Sequence, residues 1–222
     1  MYRINKTSTA FKIFAVLLAV IILFFSHRAF AIEYRVDQEH SRVGFTIKHM
    51  MLTNIHGQFN NFEGSFDFDP TQNLMTNANF IVRTASLYTA VDKRDDHLKS
   101  ADFFDVTKYP TMTLENIVIT RVGKTTDPYK YKLTGDLTLH GKTKREVFDL
   151  VYTGTKKAKN GETRAGFAMT GKINRMDYGM NWGPKVEGDV MINKDVFIEI
   201  DVSAIESDTR VPGGNQKLYE AK

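Results

Sequence analysis

The sequence predicts an all-β protein whose antiparallel strands close into one barrel, and three observations carry that expectation. Apolar and polar residues alternate with a period of two in run after run, and turn signals fall between the runs at hairpin spacing. No second set of alternating helices is present to cover an open sheet, so a chain of this size must fold its sheet onto itself.

The first 31 residues stand apart from that pattern. Arg3, Lys6, Lys12 and Arg28 occur there without a single Asp or Glu, around the apolar run Ile13 to Phe25, and Ala29-Phe30-Ala31 follows as a small-x-small site. This is the layout of a cleaved signal peptide, residues 1–31, with the mature chain starting at Ile32 and exported. The apolar run is shorter than the roughly 20 residues a membrane-spanning helix needs.

The formal net charge of +4 lies wholly in that leader, which leaves the mature chain neutral. Nucleic acid is therefore excluded as a partner, since a polyanion demands a concentrated positive field. The absence of cysteine excludes disulfides, thiolate metal sites, a lipid-modified cysteine and cysteine nucleophiles.

From Ile32 onward the strands follow in order. In SRVGFTIKH, Val43, Phe45 and Ile47 share one face while Arg42, Thr46 and Lys48 take the other. Phe62, Phe66 and Phe68 alternate next, within a long strand expected from Phe59 to Phe68, and then Ala78, Phe80 and Val82. Further along, Tyr131, Leu133, Leu137 and Leu139 alternate, followed by Phe148, Leu150 and Tyr152, by Ala165, Phe167, Met169 and Ile173, and by Val196, Ile198, Ile200 and Val202. Such runs number about eight or nine. Asp69-Pro70, Val122-Gly123-Lys124, His140-Gly141-Lys142 and Asn160-Gly161 read as the hairpin turns, the last because both of its residues accept a positive φ. Long strands with short hairpins suit an up-and-down barrel better than a sandwich.

One segment, Thr89 to Pro110, breaks the alternation. It has helix-start chemistry at Asp92, an Asp95–Lys99 pair four residues apart, and Val91, Leu98 and Ala101 placed to face a core. A short helix near one end of the barrel is expected there, stopping before Tyr109-Pro110. The polar stretch 207–222, with Pro212-Gly213-Gly214, reads as a flexible tail, so the folded domain spans 32–206.

Catalytic chemistry finds little support. None of His40, His49, His56, His97 and His140 belongs to a metal-binding motif, and no nucleophile elbow or phosphate-cradling glycine loop is present. Asp92, Asp95, Asp96 and Asp102 are interleaved with Lys93, Arg94 and Lys99, as on a solvated helix face. Lys156, Lys157, Lys159 and Arg164 surround Asn160-Gly161, which could bring them to anionic head groups at a barrel mouth or merely keep a hairpin tip soluble. The 16 phenylalanines, 9 methionines and 9 tyrosines can either fill a barrel axis or line a cavity, and composition leaves both open.

Three stretches carry a resemblance: YRVDQEHSRVGFTIKHM, RDDHLKSADFFDVTKYPTMTL and GDLTLHGKTKREV. Together they closely resemble the YceI-like family of exported polyisoprenoid-binding proteins, over nearly the whole mature chain, and the resemblance implies a soluble protein of the bacterial periplasm. The resemblance implies an eight-stranded antiparallel lipocalin-like barrel with an apolar channel for a long polyisoprenoid or quinone-type lipid, and it implies no catalytic residue, metal or cofactor. Strand phase then places Phe45, Ile47, Phe66, Phe80, Val82, Leu137, Leu139, Phe167 and Met169 on the channel wall. In LENIVIT the apolar phase shifts near Asn116 to Ile119, which points to a bulge.

The expected partner is thus a long-chain lipid, carried for transport, storage or stress protection, with transient contact to a membrane surface and pairing with a second copy left open. Two rivals remain: an enzyme acting in the same pocket, with His97, His49 and Asp95 as its first candidates, and a packed barrel working as an interaction module.

Overall fold

The structure is a computed structural model that describes residues 32–207, apart from 70, 73, 124–128, 184, 187, 188 and 191. The expected signal peptide, and all of the expected tail but Ser207, lie outside the described residues.

The strands are β1 (Ile32–Val36), β2 (Arg42–His49), β3 (Thr53–Phe59), β4 (Phe62–Asp69), β5 (Leu74–Arg83), β6 (Leu87–Tyr88), β7 (Thr111–Arg121), β8 (Lys130–Leu139), β9 (Lys142–Lys157), β10 (Thr163–Asn174), β11 (Lys185–Val186), β12 (Asp189–Val190) and β13 (Ile192–Glu206). The one described α-helix, α1, spans Asp92–Lys99.

Eight antiparallel lines of strand close into a barrel. The first line is β1 followed by β2, bent at a single 3₁₀ turn, Gln38–His40. Both halves pair with β13, through Tyr34↔Glu206 and Ile200↔Val43. The second line, β3 then β4, runs back along the first through Val43↔Phe59 and Tyr34↔Phe66. The expected single strand from Phe59 to Phe68 is therefore broken at Asn60-Asn61, where the chain bends between two halves of one line. β5 and β6 form the third line, and β7, β8, β9, β10 and β13 complete the barrel as successive hairpin neighbours. Every neighbour in the wall is a neighbour in sequence, except where β13 closes on the first line.

Local chemistry sets the turns. His140 and Gly141 both take positive φ, 51° and 71°, and join Leu139 to Lys142 in a two-residue hairpin. At Asn160-Gly161 only Gly161 does so, with φ 94°, because the loop is longer than expected: Gly161 N–H donates to Ala158 O at 3.0 Å and Ala158 N–H to Glu162 O at 2.7 Å. The bulge in β7 is present, with a register shift between Glu115 and Val118 and Asn116 at φ 50°.

The two ends of the barrel differ. At the end where β1 begins and β13 finishes, a knot of aromatic rings fills the axis. Phe68 stands 5.0 Å from Tyr152 and 5.1 Å from Phe167, and Phe66 meets Phe167 edge-on at 5.3 Å. Tyr34 and Tyr131 are buried beside them, and burial pushes both phenols above their usual pKa, so they stay neutral.

Asp37 locks this end. Its carboxylate accepts hydrogen bonds from Arg164, from His40 at 2.7 Å and from Glu39 N–H at 3.1 Å. Burial works to raise the Asp37 pKa, but the bonds from Arg164 and His40 together outweigh it and hold the carboxyl below its usual value. A carboxyl lowered on folding stabilises the protein fully at neutral pH and loses that contribution as the pH falls through its folded pKa. Asp37→Asn should cost about 1.5–3 kcal/mol at pH 7, and the gap between variant and wild type in denaturant titrations should close as the pH falls below the ordinary carboxylate range. A gap constant with pH would show that charge plays no part.

Candidate functional site

Above the aromatic knot the axis is hollow. A cavity of about 540 Å³ runs from Phe66, Leu150 and Phe167 to the opposite end, where the β2–β3 hairpin and α1 lie. All nine residues assigned by strand phase, Phe45, Ile47, Phe66, Phe80, Val82, Leu137, Leu139, Phe167 and Met169, stand in its wall. The size lies within the range of ligand pockets, and the hold on an apolar group there rests on area removed from water.

A barrel this rich in phenylalanine stays hollow because several rings lie flat on the wall. Phe45 pairs across the sheet with Gly57, Phe80 with Gly64, and Phe148 lies over Gly171. A Cβ on those glycines would come within 2.2, 2.3 and 2.4 Å of the respective rings. The missing side chains give each ring a shelf beside the wall, so it need not point down the axis. Sequence phase identifies the phenylalanines and misses the glycines, which in a lone sequence read only as weak points of a strand.

The mouth is built by segments outside the strand pattern. Helix α1 is bolted to Thr89: the Asp95 carboxylate accepts from the Thr89 N–H at 2.9 Å and from its hydroxyl, and Arg94 donates to Thr89 Oγ1 at 2.7 Å and Thr89 O at 2.6 Å. Asp95 is thus buried in a structural contact and forms no pair with Lys99. Leu98 packs on the Phe45, Phe59 and Leu87 cluster as expected, whereas Val91 and Ala101 are exposed. Val91 and Ala101 lie just outside the two-turn helix, which leaves Leu98 as the inward-facing apolar residue of the three.

Beside α1, the chain's single tryptophan, Trp182, meets His97 edge-on at 4.7 Å and Phe103 at 5.2 Å. His97 also bonds Asp102 at 2.9 Å. These four residues sit in the helix and in loops, where no periodicity flags them.

The turn after β10 hangs on Arg175, which is only 5% exposed and lines the cavity. Its guanidinium donates to the carbonyls of Asn193 at 3.0 Å, Met180 at 2.5 Å and Ile192 at 3.3 Å. Among the described residues no carboxylate pairs with it, and burial lowers its pKa from the ordinary arginine value. Tyr178, fully buried, donates to Glu146 at 2.8 Å, and burial together with that carboxylate drives the phenol far above its usual pKa.

Of the enzyme candidates, His49 and His97 stand in the cavity wall, whereas Asp95 is engaged by Thr89. His49 stands in the cavity wall near the mouth, and His56, one strand phase away, faces outward and bonds Thr46 at 2.9 Å. Among the described residues no group of three metal-ligating side chains occurs. The basic hairpin of Lys156, Lys157, Lys159 and Arg164 lies at the aromatic end, away from the mouth, with Arg164 tied to Asp37 and Glu162.

Comparison with known proteins agrees with the barrel fold. A family model described as a YceI-like domain matches residues 34–204. A UPF0312 protein of Pseudomonas putida (strain W619) is 38% identical over 176 residues, which is 78% of this chain and 88% of the relative. The crystal structure of the Campylobacter jejuni YCEI protein superposes with a TM-score of 0.60 at 33% identity, covering 78% of this chain and 97% of that one. A polyisoprenoid binding domain from Saccharophagus degradans shares the fold at 15% identity, with a TM-score of 0.56 over 79% of this chain and 99% of that one.

Proposed function

Because the chain belongs to the YceI-like family of lipid-binding barrels, we propose that it carries a long-chain polyisoprenoid or isoprenoid quinone, tail first, in its channel. The observation that carries this reading is the dead-ended apolar cavity, blocked by the Phe66, Phe68, Tyr152 and Phe167 rings at one end and reaching polar side chains at the other. A branched hydrocarbon fits the first part, and a polar head fits beside Arg94, His97 and Arg175.

Each methylene taken out of water is worth roughly 0.8 kcal/mol, so a tail of a few isoprene units gains on the order of 10 kcal/mol before ordering costs. The proposed setting is the periplasm, after removal of residues 1–31; YceI-family proteins are typically exported, and a lipid crossing an aqueous compartment needs such shielding. The polyisoprenoid itself is suggested by what the Saccharophagus degradans domain is described as binding. The family is one of non-catalytic lipid binders, and Asp95, bonded to Thr89, leaves His49 and His97 in the cavity wall without its carboxylate.

Mass spectrometry of an organic extract of the purified protein should find a stoichiometric long-chain isoprenoid. After delipidation, Trp182 at the mouth gives a second readout: a short-chain isoprenoid quinone should quench its fluorescence saturably, and farnesol should compete. An empty extract together with no response to either probe would overturn the reading.

A further inference from the structure

We propose that the tip of the β2–β3 hairpin, Met50-Met51-Leu52, docks the open end of the barrel on an anionic membrane surface when ligand enters or leaves; this rests on the lipid-carrier reading above.

Three consecutive large apolar side chains stand in solvent there, with Met50 48%, Met51 54% and Leu52 79% exposed. The turn closes through Leu52 N–H donating to His49 O at 3.0 Å, and both central residues, Met50 and Met51, have positive φ, 50° and 55°. A turn with two left-handed central residues is the one that Asn-Gly fills most readily. Two methionines there cost the fold stability, and exposed as they are they return little of it through packing. Flexible thioether side chains are, however, well suited to pressing into an irregular apolar surface.

Position and charge name the partner. Lys48, His49, Thr53 and Ile55, on both stems of the hairpin, are part of the cavity wall, so the tip projects where a tail would leave the channel. Exposed Val91 and Met176 lie at the same end. From Arg42 to Phe62 the chain has no Asp or Glu, and Lys48 stands two residues before the tip. An apolar tip with a lysine beside it and no acid on either stem suits a bilayer with negative head groups, where the tip enters the acyl boundary and the Lys48 ammonium stays with the phosphates. The second basic hairpin, at the aromatic end, has a charged tip and no channel behind it.

The test compares wild type with Met50→Asn/Met51→Gly, a change that gives the turn its preferred residues. The full chain is purified as the cell makes it and mixed with vesicles of phosphatidylcholine, with and without phosphatidylglycerol. Wild type should sediment with the anionic vesicles and deliver a fluorescent farnesyl probe to them faster than to neutral ones. In the variant, thermal stability should be equal or higher and the probe's equilibrium affinity unchanged, while anionic-vesicle binding and transfer rate fall about tenfold or more.

Unchanged binding and transfer in the variant would overturn the proposal, as would a variant that loses stability along with transfer. A wild type indifferent to phosphatidylglycerol would also overturn it, and so would a dimer of the wild type that the variant loses while vesicle binding persists. Should the probe fail to bind wild type at all, the carrier reading fails by that measurement, and vesicle sedimentation still reports on the tip separately.

Discussion

Adding a single methyl group at Gly57 and another at Gly171 should cost the barrel most of its ligand while leaving it folded. The new Cβ atoms would meet ring atoms of Phe45 at 2.2 Å and of Phe148 at 2.4 Å, well inside contact distance. A backbone in the way would forbid the change. Here the obstructing groups are side chains that border a void, so each ring can swing toward the axis. The stability cost should be small, about 1 kcal/mol, because repacking strain is partly offset by the chain entropy that a glycine no longer loses. The ligand bears the larger effect. A ring turned into the lumen takes the place of about four methylenes of tail, on the order of 3 kcal/mol or about a hundredfold in affinity. Isothermal titration with farnesol on Gly57→Ala/Gly171→Ala measures it. Combining Gly57→Ala with Phe45→Leu should recover affinity beyond the sum of the two single changes, since the smaller side chain needs no shelf. Unchanged affinity in the glycine variant, or additive effects in the second pair, would show that the rings do not keep the channel open.

Those glycines also mark how far the sequence is legible. A period-two pattern states which face a residue takes, so the wall residues Phe45, Phe80 and Met169 could be placed without coordinates, as could the bulge at Asn116, where the apolar phase slips. Periodicity does not state how a side chain lies once it faces inward. Whether a barrel with so many phenylalanines is plugged or hollow depends on what stands opposite each ring, and pairing is a long-range fact. The outcome differs along a single axis. Phe68 meets Tyr152 and Phe167 and blocks its end, whereas Phe45 lies over Gly57 and leaves its part of the axis open.

The bend between β1 and β2 escaped for a related reason. Asp37 caps the 3₁₀ turn Gln38–His40 locally, but its hold on Arg164 crosses 127 positions of sequence. At Asn160-Gly161 local chemistry did point to a turn, and the loop length then selected a form in which only the glycine needs a left-handed backbone. The mouth was least legible of all. Trp182, Phe103 and His97 come from a helix and two loops that have no shared period, and only the closed barrel brings them together.

Arg175 carries the other large effect, and its chemistry separates geometry from charge. A buried guanidinium normally answers a carboxylate, yet here its described partners are three backbone carbonyls from Met180, Ile192 and Asn193. Those carbonyls belong to the chain that leaves the turn after β10 and enters β13, so one planar fork ties the two ends of that connection together. Replacing it with methionine keeps much of the volume and removes every donor. Carbonyls that lose their donors while remaining buried cost about 1–3 kcal/mol each, which makes Arg175→Met worth roughly 3–5 kcal/mol, a large share of a domain's total stability. Arg175→Lys keeps the charge but offers a compact ammonium that cannot span three divergent acceptors, so it should recover less than half of the loss. Equilibrium denaturation gives the magnitude, and hydrogen exchange gives the place: protection should fall first at Met180 and at Ile192 to Asp195, with β7 and β8 unaffected under the same conditions. A lysine variant as stable as wild type would mean that positive charge at the mouth, and not the three-way tie, is what the position supplies.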